Sequence, residues 1–132
     1  GSGSNAGSGS NELARLTPFQ ETSQLKDIHF NFDKYVLDAN AKKTLQQNAA
    51  FLKQNPEVRI EIQGHCDERG TNNYNTSLGE RRAQATKKYL ISQGIDSSRV
   101  NTISYGEDKP FCFDSNETCW YQNRRAHFMV AK

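Results

Sequence analysis

The sequence predicts an α/β (α+β) fold, a two-layer sandwich in which one sheet is covered by helices. Several short segments alternate apolar with polar residues, which is the pattern of half-buried strands. The segments between them repeat apolar residues at helical spacing. Strands separated by helices are typical of this class, with right-handed crossovers wherever two strands run parallel.

The first strand and the first helix differ in the period of their apolar residues. Alternation over residues 28–32 predicts a strand. The apolar residues that follow share one helical face: Ala41, Leu45, Ala49 and Leu52. Asp38 is the expected N-cap of this helix, and residues 54–56, which end in a proline, are its expected stop.

A second helix and three further strands follow. Alternation predicts the strands over residues 58–62, 100–105 and 126–130. The helix is predicted from one shared face: Leu78, Arg82, Ala85 and Tyr89. Ser77 and Glu80 are expected to form a capping box near its start, and Gly94 is expected to end it.

Composition divides the chain into three parts. Residues 1–10, GSGSNAGSGS, contain only small or neutral polar types, which predicts a linker or a remnant of cloning. Residues 11–24 are expected to form a partly flexible N-terminal extension, and residues 25–132 one domain with a single core. No apolar run approaches the roughly 20 residues of a membrane helix, and no signal peptide is present, so a soluble domain is expected.

The charge balance argues against a nucleic-acid partner. Seventeen Lys and Arg residues face fifteen Asp and Glu residues, for a net charge of +2. Nucleic-acid binding would favour a concentrated basic stripe, whereas the basic runs in "ERRA" and "NRRA" are only pairs. Basic pairs of this kind are usually solvated surface.

Two of the three cysteines bracket a short polar stretch. Cys112 and Cys119 flank "FDSNET", a spacing that fits a small disulfide-closed loop, while Cys66 is far away in the sequence. A disulfide would imply an oxidising compartment. Two unrelated free thiols remain the alternative, because connectivity is not determined by spacing alone.

The stretch "GHCDERGTNN" places a histidine beside a cysteine, but neither catalysis nor metal binding fits it. If His65 and Cys66 continue the strand, their side chains point to opposite faces, so the imidazole is badly placed to activate the thiol. The sequence also lacks the C-x-x-C and H-E-x-x-H pairs of zinc sites. We therefore expect no catalytic residue, no metal and no cofactor, with Cys66 as a small buried residue at a strand end.

Ligand binding fits this stretch better. Asp67 comes just after a central strand, in the loop that leads into a helix, which is where open α/β sheets tend to bind ligands. Arg82 lies 15 residues later, on the otherwise apolar face of that helix, where a cation needs an anion. Either the two residues form a structural salt bridge, or a ligand that carries both charges lies between them.

Four segments resemble the OmpA-like peptidoglycan-binding domain in the same order: "IHFNFDKYVLD", "GHCDERGTNNYNTSLGERRAQATKKYLISQGI", "ISYGEDKP" and "YQNRRAHF". The resemblance covers about residues 25–131 and is greatest to the peptidoglycan-associated lipoprotein branch of that family. It implies a mixed four-stranded sheet covered by helices, in the order βαβαβ(α)β. It also implies a noncatalytic domain on the periplasmic face of the outer membrane, anchored by a lipid attached outside this sequence.

The resemblance further implies a ligand, a site and partners. The ligand is the meso-diaminopimelate of the peptidoglycan stem peptide, an amino-acid zwitterion that an aspartate and an arginine, here Asp67 and Arg82, recognise. The matching secondary contacts are Phe32, Asp33, Asn75, Leu78 and Arg124, although Arg124 could equally stabilise the strand end or the loop that contains Asp33. A TolB-like periplasmic protein is the implied partner. Two rival readings are a wall-binding domain of a porin or stator protein, and a peptidoglycan hydrolase.

Overall fold

The computed structural model describes residues 18–132 and confirms the predicted α/β two-layer sandwich with a mixed four-stranded sheet. The strands are β1 (Ile28–His29), β2 (Arg59–His65), β3 (Val100–Gly106) and β4 (Arg125–Ala131). The helices are α1 (Ala39–Gln54), α2 (Asn72–Ser92) and α3 (Glu117–Asn123), with a 3₁₀ turn at Ser97–Arg99. None of the described helices combines the length and the apolar character that crossing a membrane requires.

The sheet has the strand order β1-β4-β2-β3, so β2 lies inside it. β2 pairs in parallel with β3 and antiparallel with β4, and β4 pairs antiparallel with β1. Ile60 of β2 aligns with Val100 on one side and Val130 on the other. The register shifts between Gly64 and His65, where β2 ends and the chain turns towards α2.

The core lies between the sheet and the helices α1 and α2. Ile60 and Ile62 of β2 are 1% and 0% exposed, and they pack against buried residues of both helices. Burying apolar side chains of this size contributes about 1.5–3 kcal/mol each, so this layer holds the helices on the sheet. The predicted face of α1 is confirmed, because its buried residues are Ala41, Leu45, Asn48, Ala49 and Leu52.

The predicted ends of α1 are confirmed. The Asp38 carboxylate accepts a hydrogen bond of 2.8 Å from the Ala41 N–H, as an N-cap does, and the helix ends at Gln54. The expected stop of α2 is also confirmed, since Gly94 follows its end with a φ of +100°, a value that favours glycine.

The capping box predicted at Ser77 and Glu80 is wrong. α2 begins at Asn72, and its N-cap is Thr71, six residues before Ser77; the Thr71 hydroxyl accepts a 3.1 Å bond from the Tyr74 N–H. The first turn of α2 is largely exposed and polar. Apolar spacing therefore does not mark it, and the start predicted from that spacing lies too late.

The first strand is shorter than predicted, because β1 ends at His29. Phe30 is still buried, and its N–H donates to the Arg124 carbonyl at 2.9 Å. The chain then turns through Asp33, which has a φ of 58°, and Phe32 is 53% exposed. The apolar residue that continued the alternation thus lies on a loop beside the cavity described below.

α2 approaches β2 very closely where two glycines face each other. A Cβ atom on Gly64 would lie 1.8 Å from the backbone oxygen of Gly79, and one on Gly79 would lie 2.2 Å from the Ser104 hydroxyl. A larger residue at Gly64 would require the backbone to move, whereas one at Gly79 would first require the Ser104 side chain to move. This contact brings the next turn of α2, which carries Arg82, against the end of β2.

The described part of the N-terminal extension packs along β4. Gln20 exchanges two backbone hydrogen bonds with Val130, at 2.7 and 2.8 Å, and the Glu21 carboxylate lies 2.7 Å from His127 Nε2. The linker predicted over residues 1–10, and the extension up to residue 17, lie outside the described residues.

Candidate ligand-binding site

A cavity of about 210 Å³ opens at the carboxyl end of β2. Its walls come from the loop after β1, the loop between β2 and α2, and the first half of α2. It is lined by Phe32, Asp33, Cys66, Asp67, Arg69, Gly70, Tyr74, Asn75, Leu78 and Arg82. The structure thus brings together six of the seven residues expected at the site, and only Arg124 does not line the cavity.

The Asp67 carboxylate is only 4% exposed and receives hydrogen bonds from two arginines. Arg69 donates to it from its backbone N–H at 2.9 Å, from Nε at 3.3 Å and from Nη2 at 2.9 Å. Arg124 donates from Nη1 at 3.3 Å. Burial opposes ionisation of this carboxyl, but the bonds from Arg69 and Arg124 outweigh burial and lower the pKa of Asp67.

Arg69 lies between two aromatic rings at the mouth of the cavity. Its guanidinium carbon is 3.9 Å from the centroid of Phe32 and 4.0 Å from the centroid of Trp120. Cation–π contacts of this kind contribute about 0.5–1 kcal/mol at exposed sites. The stack joins the loop after β1, the loop after β2 and helix α3.

Arg82 is fully buried, and its partners are backbone carbonyls. It donates from Nε to Lys34 at 2.8 Å, from Nη1 to His65 at 2.9 Å and from Nη2 to Asn31 at 3.2 Å, while its guanidinium packs over Phe30. Among the described residues it forms no salt bridge, so the structural Asp67–Arg82 pair that the sequence allowed is absent. Burial lowers the pKa of Arg82, although a guanidinium stays charged in proteins.

Asn75 and Leu78 project from the first turns of α2 and shape the cavity floor. The Asn75 side-chain amide donates to the Arg69 carbonyl at 2.9 Å and to Glu107 at 2.7 Å, so it holds the loop that carries Asp67. Leu78 is 7% exposed and supplies an apolar wall.

Asp33 borders the cavity from the opposite loop. Its carboxylate accepts a hydrogen bond from the Tyr74 hydroxyl, which ties this loop to the first turn of α2. The bond stabilises the protonated phenol and, with slight burial and the negative charge of Asp33, raises the pKa of Tyr74.

Arg124 lies behind Asp67 instead of in the cavity. It is 3% exposed and bonds three groups: Asp67, the Glu117 carboxylate at 2.7 Å and the Phe30 carbonyl at 2.9 Å. It therefore ties the start of β4 to the loop after β1. In this position it orients the Asp67 carboxylate.

The residues of the site that were not found from the sequence include Arg69, Tyr74 and Trp120. Arg69 stands only two residues after Asp67, and an arginine so close to the carboxylate expected at the site was a usable signal. Trp120 is 51 residues from Arg69 in the chain, so no local pattern connects them.

His65 and Cys66 do not form a catalytic pair. The Cys66 thiol donates to the Asn75 carbonyl on α2 at 3.2 Å, whereas His65 stacks on Tyr105 and its Nε2 lies 3.3 Å from Gln63 Oε1. Burial raises the pKa of Cys66 to about 11, and burial together with nearby cations lowers the pKa of His65 to about 3. At neutral pH both groups are uncharged, so the thiol is a poor nucleophile.

The predicted disulfide is confirmed: Cys112 is joined to Cys119, and Cys66 is a buried free cysteine. Asn123 accepts bonds from the N–H groups of Phe111 and Cys112 at 2.7 and 2.9 Å and so fixes the loop at its first cysteine. The bridge anchors α3, which carries Glu117 and Trp120, beside the cavity.

Comparison with known proteins gives the same family as the sequence segments. The model of the OmpA family matches residues 29–124. The peptidoglycan-associated lipoprotein of Brucella melitensis is 46% identical over 99 residues, which are 75% of this chain and 59% of that protein. That of Agrobacterium fabrum is 48% identical over 99 residues, 75% of this chain and 56% of that protein. The chain thus spans less than two thirds of the length of these relatives.

Solved structures agree with this assignment. The peptidoglycan-associated lipoprotein from Burkholderia pseudomallei has a TM-score of 0.77 at 38% identity, covering 80% of this chain and 89% of that one. The C-terminal domain of Helicobacter pylori MotB has a TM-score of 0.76 at 18% identity, covering 82% and 85%, and supports the fold alone. The family model and the identity to the lipoproteins together establish that this chain belongs to the OmpA family.

Proposed function

We propose that this domain binds peptidoglycan without catalysis, by holding the zwitterionic end of meso-diaminopimelate in the cavity between Asp67 and Arg82. The observation that carries the proposal is Arg82, a fully buried cation at the cavity wall with no carboxylate partner among the described residues. The names of the similar lipoproteins support the class of ligand.

Arg82 is suited to receive the carboxylate of the ligand. A guanidinium has five N–H donors, and three of them are bonded to carbonyls, which leaves two. The carbonyls orient the guanidinium but contribute no net negative charge. A ligand carboxylate would supply that charge and form charge-assisted hydrogen bonds, which are about twice as strong as neutral ones.

Asp67 is suited to receive the ammonium group. Its lowered pKa keeps the carboxylate ionised at neutral pH, and its side chain lines the same cavity as Arg82. Phe32 and Leu78 supply apolar walls for the methylene groups of the side chain between the two ends of diaminopimelate. A zwitterion would therefore meet opposite charges in one cavity.

We propose that the domain tethers the outer membrane to the cell wall, with a lipid anchor attached outside this sequence and a TolB-like periplasmic partner. The lipoprotein names of the relatives support an outer-membrane location. The upstream sequence distinguishes this proposal from its rival, a wall-binding domain of a porin or stator. A lipobox cysteine there would favour the lipoprotein, and a barrel or a membrane helix would favour the rival.

A hydrolase is the other rival, and incubation with purified sacculi tests it. The protonated thiol of Cys66 and the neutral His65, which contact different partners, favour binding without turnover. We expect no release of soluble fragments. Sustained release that scales with protein concentration would show that the domain is an enzyme.

Titration with two stem peptides tests the ligand itself. The peptides should differ only at the third position, with meso-diaminopimelate in one and lysine in the other. Lysine keeps the ammonium but lacks the carboxylate, so Arg82 loses a charged hydrogen-bond partner worth about 1.5–3 kcal/mol. We expect the lysine peptide to bind about 10- to 150-fold more weakly by calorimetry. Equal affinity for the two peptides would rule out the zwitterion mechanism.

A further inference from the structure

The Asp67 carboxylate has no hydrogen-bonding capacity left in the protein without ligand. A carboxylate offers about four lone-pair sites. Four N–H groups reach it: the backbone N–H, Nε and Nη2 of Arg69, and Nη1 of Arg124. An incoming ammonium group therefore has to displace one of these donors before it can bond Asp67.

We infer that the Arg69 guanidinium is an internal competitor for the ammonium position on Asp67, and that ligand binding displaces it. This inference rests on the proposed function of the cavity. It assigns Arg69 a role in specificity, because a ligand with a free ammonium can replace the guanidinium and a ligand without one cannot.

Burial identifies Arg69 as the donor that moves. The Arg124 side chain is 4% exposed and is also held by Glu117 and the Phe30 carbonyl, so its displacement would break several bonds at once. The Arg69 side chain is 33% exposed and lines the cavity itself. Its backbone N–H belongs to the turn of the loop and stays with Asp67 whatever the guanidinium does.

The displaced guanidinium has a place to go nearby. Phe32 and Trp120 hold it from both sides, and Glu117 Oε1 already lies 3.9 Å from Arg69 Nη2. A small shift along the two rings would exchange Asp67 for Glu117 while keeping both cation–π contacts. The displacement therefore exchanges one carboxylate for another and leaves no charge without a partner.

Three variants separate competition from direct ligand contact. Arg69→Ala removes the competitor, Arg69→Lys keeps a cation near Asp67, and Arg81→Ala makes the same charge change at an exposed position of α2 that does not line the cavity. Each is titrated with the meso-diaminopimelate peptide and with the same peptide acetylated on its side-chain amine.

We expect Arg69→Ala to bind the free-amine peptide about three- to fivefold more tightly than Arg81→Ala, the range expected for loss of a partly exposed ion pair. The affinity of Arg69→Lys for the free-amine peptide should stay within about twofold of that of the wild type. Arg69→Ala should not bind the acetylated peptide more tightly than the wild type does. Trp120, the one tryptophan of the chain, reports the shift: its emission should change on saturation of the wild type and not of Arg69→Ala.

Each other outcome has a definite meaning. Weaker or unchanged binding by Arg69→Ala, while the wild type binds and prefers diaminopimelate over lysine, would overturn the competition and leave the proposed function standing. An equal gain for the acetylated peptide would also overturn it, because the ammonium would then be irrelevant. If neither the wild type nor Arg69→Ala binds the free-amine peptide, the proposed function and this inference both fail.

Discussion

The two charged centres of the cavity are satisfied in opposite ways. Asp67 is surrounded by four N–H donors from two arginines, whereas Arg82 is bonded only to neutral carbonyls. Within residues 18–132, the negative centre therefore already has its counter-charge, and the positive centre does not. The difference teaches that the two ends of a zwitterion would bind at unequal cost: the carboxylate meets a buried cation that lacks a carboxylate partner among the described residues, and the ammonium meets a carboxylate that is already paired.

The support behind the two centres differs as well. Arg82 projects from the middle of α2, which is fixed by the glycine contact with β2 and by core packing. The donors to Asp67 come from the loop between β2 and α2 and from Arg124, which lies between the short helix α3 and β4. Changes to the glycine contact should thus affect Arg82 first, and changes around α3 should affect Asp67 first.

The largest expected effect comes from Gly64→Ala, which pushes α2 away from β2. The new Cβ would meet the Gly79 backbone oxygen at 1.8 Å, and overpacking of this kind costs about 3 kcal/mol or more in the free energy of unfolding. Urea denaturation measures it. Gly79→Ala is the matched control: its nearest atom is the movable Ser104 hydroxyl, at 2.2 Å, so its loss should be smaller. Equal losses for the two variants would show that the clash with the Gly79 backbone oxygen is not the cause.

Arg82→Ala should both destabilise the domain and abolish its preference for diaminopimelate. The change leaves the Lys34, His65 and Asn31 carbonyls without their donor, at a cost of about 2–4 kcal/mol in the free energy of unfolding. The lysine penalty should largely vanish, because the carboxylate has lost its partner. A thermodynamic cycle that combines the wild type and Arg82→Ala with the two peptides isolates the interaction energy between Arg82 and the ligand carboxylate. A preference retained by a folded Arg82→Ala would contradict the role of Arg82.

Loss of the disulfide should destabilise the domain less than loss of Arg82 does. Its effect on binding should fall on the Asp67 side of the cavity. On the chain-entropy model, closing a loop this short contributes about 2.5 kcal/mol. Replacing Cys112 and Cys119 with serine should lower the free energy of unfolding by up to about that amount, and loosen Trp120 and Glu117 next to Arg69.

Mass spectrometry after thiol labelling in denaturant without reductant checks the bridge. It should show one reactive cysteine in the wild type, Cys66, and three labelled cysteines would refute the bridge. In the serine variant, binding of the lysine peptide should change more than binding of a carboxylate-only peptide. The reverse order would contradict the division of the cavity into two separately supported halves.

The smallest effect is the pH dependence that Asp67 contributes. The pKa of Asp67 is lower in the folded than in the unfolded protein, so the ionised carboxylate stabilises the fold at pH values above its unfolded pKa. This contribution is lost as the pH falls below about 4. The difference in melting temperature between wild type and Asp67→Asn should be constant from pH 5 to 7 and shrink on further acidification. A difference that grows towards low pH would show that the sign is wrong.

Much of the fold could be read from the sequence because its signals are local. The alternation around Ile60 and the helical spacing around Leu45 each lie within one element, and so does the Asp38 cap. The predictions failed where polar or exposed residues begin or end an element: the first turn of α2 after Thr71, and the loop beyond His29 that turns Phe32 outwards. The spacing of apolar residues along the chain cannot by itself distinguish an exposed aromatic residue from a buried one.

The sequence by itself determined the fold class, the cysteine spacing that favours the disulfide, and the placement of Asp67 after a strand and of Arg82 on the following helix, since short-range spacing and residue type carry those features. Only the tertiary structure decided which charges meet. Arg82 finds carbonyls instead of Asp67, and Asp67 finds Arg69 and Arg124. Arg124 comes from a point 57 residues away, and Trp120 closes the stack on Arg69 from α3. Such pairings depend on the distance between elements after packing, which no local pattern in the chain encodes.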